Sequence, residues 1–294
     1  MELIGLWRKE GEFMPTCRPP HKPSVAWTHR RLRGGFTLPE LLCAVAILTI
    51  LAGAMGTLAY GVSNANDYCR GQNEAAQLAR VVLERIRRNV IGCKASENFP
   101  GCVVASTTVG SYSFPDRLLI WKSDGVVAGA TEYPKYKDLI VYTYNPSRPV
   151  ELLEITSTDT TALTSASNTA LNGVVDAMLA SNGSTKTVIT DRMDVATTGN
   201  GTGTRLSNLL ADSAARGMLR FRIIMSPTAT QWGEYKASTR TWANIDWPLD
   251  QYATDTGTRR VSCLTELQML ADDTSEKPAV PFFGSATKVY LLAK

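Results

Sequence analysis

Residues 34–60 read GGFTLPELLCAVAILTILAGAMGTLAY, and this stretch decides the fold. From Leu41 to Asn66 no residue is charged. Its first 20 residues rise about 30 Å as a helix, enough to cross the hydrocarbon of a bilayer. A buried helix of a globular domain rarely stays apolar on every side for this length, so a membrane span is the better reading. Arg30, Arg31 and Arg33 precede the stretch and Asp67 follows it. By the positive-inside rule the N-terminus is cytoplasmic and the C-terminal body is exported. A cleaved secretory signal has a shorter apolar run ending in a small-residue cleavage site, which this stretch does not match. Glu40 is out of place in a segment ready to enter lipid: a carboxylate at mid-bilayer costs roughly 2.5–3.5 kcal/mol, less near the interface, so it calls for a partner. Pro39 fits a first helical turn, where backbone N–H groups lack partners in any case.

Outward from this stretch, charge separates tail from body. The chain has 294 residues, 44% hydrophobic and 20% charged, with a formal charge of +4. That balance is globular rather than disordered. Seven of the 31 Lys/Arg and three of the 27 Asp/Glu lie in residues 1–35, leaving 24 of each in the remainder. A neutral body has no electrostatic footprint for nucleic acid. Both histidines, His21 and His29, lie in the tail as well. The body therefore lacks the histidine that Ser-His-Asp or Cys-His catalysis or a histidine-ligated zinc requires.

The ordered combination of an Arg-rich leader, Gly35, Phe36, Glu40 five residues after the glycine, and an apolar run resembles the class III signal of type IV pilins and type II secretion pseudopilins. The resemblance covers Arg30 to Tyr60. It implies cleavage between Gly35 and Phe36 by a prepilin peptidase and N-methylation of the new Phe36 amine. It further implies that Glu40 pairs with the terminal amine of a neighbouring subunit in a filament, which would offset the burial of a carboxylate among apolar helices. Two features depart from the family pattern. The leader is long, and it carries Pro19, Pro20 and Pro23. Translation from Met14 is one explanation, and no role is assigned to residues 1–29.

Beyond the span, Ala75, Ala79, Val82, Ile86 and Val90 recur at three- and four-residue spacing. This predicts an amphipathic continuation of the same helix over 67–92, with Gly92 as its stop. Charged residues fall on the other face, and Glu84 with Arg88 has the favourable order for a helical ion pair. After Val103 the period changes. Short runs rich in branched and aromatic residues, 117–122, 139–145, 150–156, 187–191, 218–226, 241–247 and 288–294, read as strands between turn residues. In the best of them, Leu219, Phe221 and Ile223 alternate with Arg220, Arg222 and Ile224. The Ser/Thr/Asn/Gly-rich stretch from Thr156 to Leu206 reads as long loops or edge strands.

These readings predict an α+β, pilin-like plan: a cleaved leader (1–35), a transmembrane and assembly helix (36–66), its amphipathic continuation (67–92), and a periplasmic, mainly antiparallel β-rich domain (93–294). Helix sequence and body length resemble J-type minor pseudopilins or W-type minor pilins. The function implied is structural rather than enzymatic: a minor subunit of a type II secretion pseudopilus, or alternatively of a type IV pilus serving adhesion, motility or DNA uptake. A membrane-anchored binding protein that does not polymerise is the competing class. Expected partners are the prepilin peptidase, other pilins or pseudopilins, an inner-membrane assembly platform and the membrane itself, without nucleic acid. No cofactor is expected.

Of six cysteines, Cys17 lies in the leader and Cys43 in the span. Cys69 and Cys93, joined by one helix, stand about 36 Å apart and cannot pair. Cys93 and Cys102 flank a short loop on the exported, oxidising side, so a Cys93–Cys102 disulfide is the expected pairing, with Cys263 as the alternative partner of either. Asp191, Asp194, Asp272 and Asp273 lack the spacing of a calcium loop. Gly199 and its neighbours lack the helix pattern that a phosphate-binding loop requires. Trp232, Trp242 and Trp247 are core candidates first and a sugar- or partner-binding surface second.

Overall fold

The computed structural model describes residues 36–109, 112–125, 129, 131–196, 215–271 and 279–294. A 54-residue helix, α1 (Leu38–Ile91), opens the described chain, which divides into two units after Thr57. In the first unit every described side chain of the helix is exposed. The apolar part of α1 is long enough to cross a membrane and has no buried residue, which fits membrane anchoring. Thr49 and Thr57 donate their hydroxyls to the carbonyls of Ala46 and Ala54, so that neither brings an unpaired polar group into the apolar surface.

In the second unit, α1 buries Ala75, Ala79, Val82, Ile86 and Val90, the stripe its periodicity predicts. Gly92 follows the last helical residue and donates its N–H to the carbonyl of Arg88. The body is mainly antiparallel β, so the architecture is α+β with a long N-terminal helix, consistent with a pilin-like fold. One sheet runs β1 (Cys102–Val109), β2 (Tyr112–Trp121), β3 (Leu139–Asn145), β4 (Arg148–Ser157) and β5 (Ser184–Thr190), in that spatial order. A two-stranded pair joins β6 (Val195–Ala196) to β7 (Arg216–Gly217). The last sheet has the order β11-β10-β8, from β8 (Leu219–Ser226), β10 (Thr256–Met269) and β11 (Val280–Ala293), with β9 (Gln251–Ala253) beside β10.

The continuous apolar runs LLIW and LIVY become strands buried on both faces. Leu118, Ile120, Ile140 and Tyr142 join the core that includes the α1 stripe, whereas Leu119, Trp121, Leu139 and Val141 join a second core on the opposite face. That second core is roofed by α2 (Asn168–Ala180), which buries Leu171, Val174, Val175 and Met178. Across 156–196 the expectation of long loops or edge strands holds for β5, which lies at the edge of its sheet, and is corrected by α2. The stretch holds a helix capped by Ser167, whose hydroxyl accepts from the Ala170 N–H, followed by β5. The strand expected over 241–247 is also not formed. Trp242–Asn244 makes a 3-10 turn, because Trp242 and Trp247 both fold inward onto Trp232 of α3 (Ala229–Lys236).

Candidate functional site

The Glu40 carboxylate has its partner within its own first turn. Its Oε2 accepts 2.9 Å hydrogen bonds from both the backbone N–H and the hydroxyl of Thr37, with Phe36 exposed one residue earlier. The bonds satisfy one orphan helix donor and place negative charge at the positive end of the helix dipole. A carboxylate held in this way can accept a further donor brought by a neighbouring chain, since it retains unused lone pairs. Gly35 lies outside the described residues.

Further along α1, the helix is keyed to the body at two places. Arg85 Nε and Nη2 make 2.7 Å bonds to the two Glu154 oxygens, and Tyr142 donates its hydroxyl to Glu154 at 2.6 Å. Asn89 Nδ2 in turn donates to the Tyr142 oxygen. Burial raises the Glu154 pKa, but the bonds from Arg85 and Tyr142 and the Arg85 charge outweigh it, leaving the carboxyl below its ordinary range. The Tyr142 hydroxyl is pushed up by burial first and by Glu154 second. At the other place, Arg192 bridges to Glu74, which also accepts from Arg70. Gly71 lets the helix approach so closely that a Cβ there would stand 2.3 Å from the Ala271 carbonyl oxygen. Glu84 pairs with Arg88, as expected, and with Arg87.

The cysteines arrange differently from expectation. Cys93 and Cys102 are free thiols, so the expected bridge is not formed, and Cys263 of β10 joins them in the same buried core. The Cys93 sulfur packs against Gly101, whose φ of +87° turns the chain into β1. Three thiols thus meet, the third being Cys263, the alternative partner expected for either of the other two. Burial pushes Cys93 up to about 11, Cys263 to about 12 and Cys102 well upward, so the thiols are protonated apolar packing groups. Cys43 and Cys69 are exposed.

Among the remaining sequence candidates, Asp191 is exposed and Asp194 half-buried, while Asp272, Asp273 and the Gly199 loop lie outside the described residues. Among the described residues no group of three or more His, Cys, Asp or Glu is arranged to hold a metal. Trp232, Trp242 and Trp247 are buried with Ile245 and Leu292 in a third core, a packing use rather than a surface. Sequence reasoning missed Arg85, Glu154 and Tyr142 as a unit. Their separation in sequence leaves no local signal.

Residues 30–56 match the family model described as the prokaryotic N-terminal methylation motif. No curated protein and no solved structure matches the chain. The motif supports a type IV pilin- or pseudopilin-like protein, processed by a prepilin peptidase and assembled with other pilins.

Proposed function

We propose that this chain is a minor pseudopilin-like subunit of a type II secretion pseudopilus. In this reading the peptidase cuts between Gly35 and Phe36, and the Phe36 amine is methylated. The subunit then waits in the inner membrane, N-terminus cytoplasmic and body periplasmic, until an assembly platform draws its helix into the filament. The observation that carries the reading is Glu40: a carboxylate at the head of an exposed apolar helix, inside the methylation motif and held by Thr37.

The physical logic has two states. In the bilayer, the Thr37 bonds and the interfacial position limit the desolvation of Glu40. In a bundle of helices, the Phe36 amine of a neighbour supplies an opposite charge that sets the axial register, because any slip would leave both charges buried and unpaired. The same motif serves a minor type IV pilin, and the identity of the co-assembling subunits separates the two.

The test is mass mapping of the membrane-extracted N-terminus with and without the peptidase, combined with two variants. Wild type is expected to begin at methylated Phe36 only with the peptidase. Gly35→Ala is expected to stay uncleaved, and Glu40→Ala to be cleaved but poorly incorporated into filaments. Retention of residues before Phe36 in wild type, or wild-type incorporation of both variants, rejects the proposal.

A further inference from the structure

The sheet β11-β10-β8 turns alternate residues outward. Arg220 stands opposite Glu266 and Glu266 opposite Phe283, while in the next outward-facing row Arg222 stands opposite Leu264 and Leu264 opposite Ser285. Arg220, Arg222, Leu264 and Phe283 are exposed, Phe283 by 71%. Nine other described arginines have a carboxylate within 4 Å. The guanidinium groups of Arg220 and Arg222 have no hydrogen-bond or ion-pair partner among the described residues, even with Glu266 in register with Arg220. Two clefts adjoin at Arg220 and Glu266. One, about 350 Å³, is lined by Phe114, Pro115, Arg216 and Leu219. The other, about 260 Å³, is lined by Arg222, Leu264 and Phe283. Together they form a groove in which Arg220, Arg222 and apolar side chains are interleaved around the single carboxylate of Glu266.

We propose that this groove docks an acidic, extended segment of a partner protein, its carboxylates seated on Arg220 and Arg222 and its apolar side chains on Phe114, Leu264 and Phe283. Charge complementarity selects the sign of the ligand: unpaired guanidiniums form strong, bidentate bonds with carboxylates. The apolar residues select its class. A sugar-phosphate backbone would neutralise the arginines but leave Phe283 and Leu264 against water, and the body outside residues 1–35 carries balanced charge. A peptide with acidic and apolar side chains at successive same-face positions, two residues apart, matches both features, since residues i, i+2 and i+4 of an extended strand share one face. The proposal goes beyond filament assembly and stands whether or not the N-terminus is processed.

The experiment titrates the full-length, detergent-solubilised chain into a short fluorescein-labelled peptide of repeated Glu-Ser-Leu-Ser, which puts Glu and Leu on one face of an extended strand, read by anisotropy. Binding is expected, weakening with salt. The double variant Arg220→Glu, Arg222→Glu is expected to weaken it about tenfold or more. Phe283→Ser is expected to weaken it several-fold without changing its salt dependence. All three positions are exposed, and an unchanged near-ultraviolet circular dichroism spectrum controls for folding. Equal affinity for the Gln analogue of the peptide, no effect of the charge reversals, displacement by an oligonucleotide at equal concentration, or self-association that the reversals abolish would each overturn the proposal.

Discussion

Gly71 shows how one missing side chain sets a helix in place. A Cβ there would meet a backbone carbonyl oxygen at 2.3 Å, and a backbone atom cannot swing aside as a flexible side chain can. Gly71→Ala gains about 1 kcal/mol of helix propensity, yet overpacking of this kind costs about 1–3 kcal/mol, so the clash prevails. The variant is expected to melt several degrees lower than wild type by circular dichroism, and an equal or higher melting temperature would show that α1 can shift away from Ala271. Gly71 itself gives no sequence signal, because the contact depends on a residue 200 positions later. Glu40 is the opposite case. Its partner Thr37 is three residues away, and its significance was legible in the order glycine, aromatic, glutamate, apolar run.

Between elements, the link of α1 to the sheet runs through Arg85 and Glu154. Because Arg85 is half exposed, with side-chain exposure of 47% against 12% for Glu154, solvent screening holds the pair to about 1 kcal/mol. Arg85→Ala is expected to lower stability by about that amount at neutral pH. The Glu154 pKa is lowered in the folded protein, so the carboxylate stabilises the fold above its ordinary 4.5 and loses that contribution as the pH falls below 4.5 through the lowered value. The difference between wild type and Arg85→Ala in denaturant titrations is therefore expected to shrink toward acid, and a difference constant with pH would exclude an ionic link. Other elements carry a local signal. α2 carries Leu171, Val174, Val175 and Met178 at helical spacing behind Ser167, and α3 opens on a Thr228/Gln231 capping box. The Ser/Thr-rich composition around α2 hid a pattern that its period displays.

At the scale of the molecule, three thiols are gathered from the end of α1, the start of β1 and the middle of β10. With their pKa values raised, Cys93, Cys102 and Cys263 are expected to resist iodoacetamide in the native protein at pH 8, whereas exposed Cys69 reacts. Peptide mapping after alkylation, before and after denaturation, checks this. Native labelling of the three at the rate of Cys69 would place them outside the core. β10 contributes to both constellations: it pairs with β8 and β11 at the arginine groove, and its Cys263 shares a core with Cys93 and Cys102.

Amino-acid order by itself determined the apolar span, the motif around Gly35, Phe36 and Glu40, the buried stripe of α1 and the alternation in β8. Each depends on a helical or strand period, or on a residue within one turn, and such patterns are local. The tertiary structure alone decided the Arg85–Glu154 link, the close approach at Gly71, the unbridged thiol cluster and the groove beside Arg220. Those depend on which strands pair and in what register. That choice is made by burying two faces of one sheet and one face of another at once, a condition that no short segment encodes.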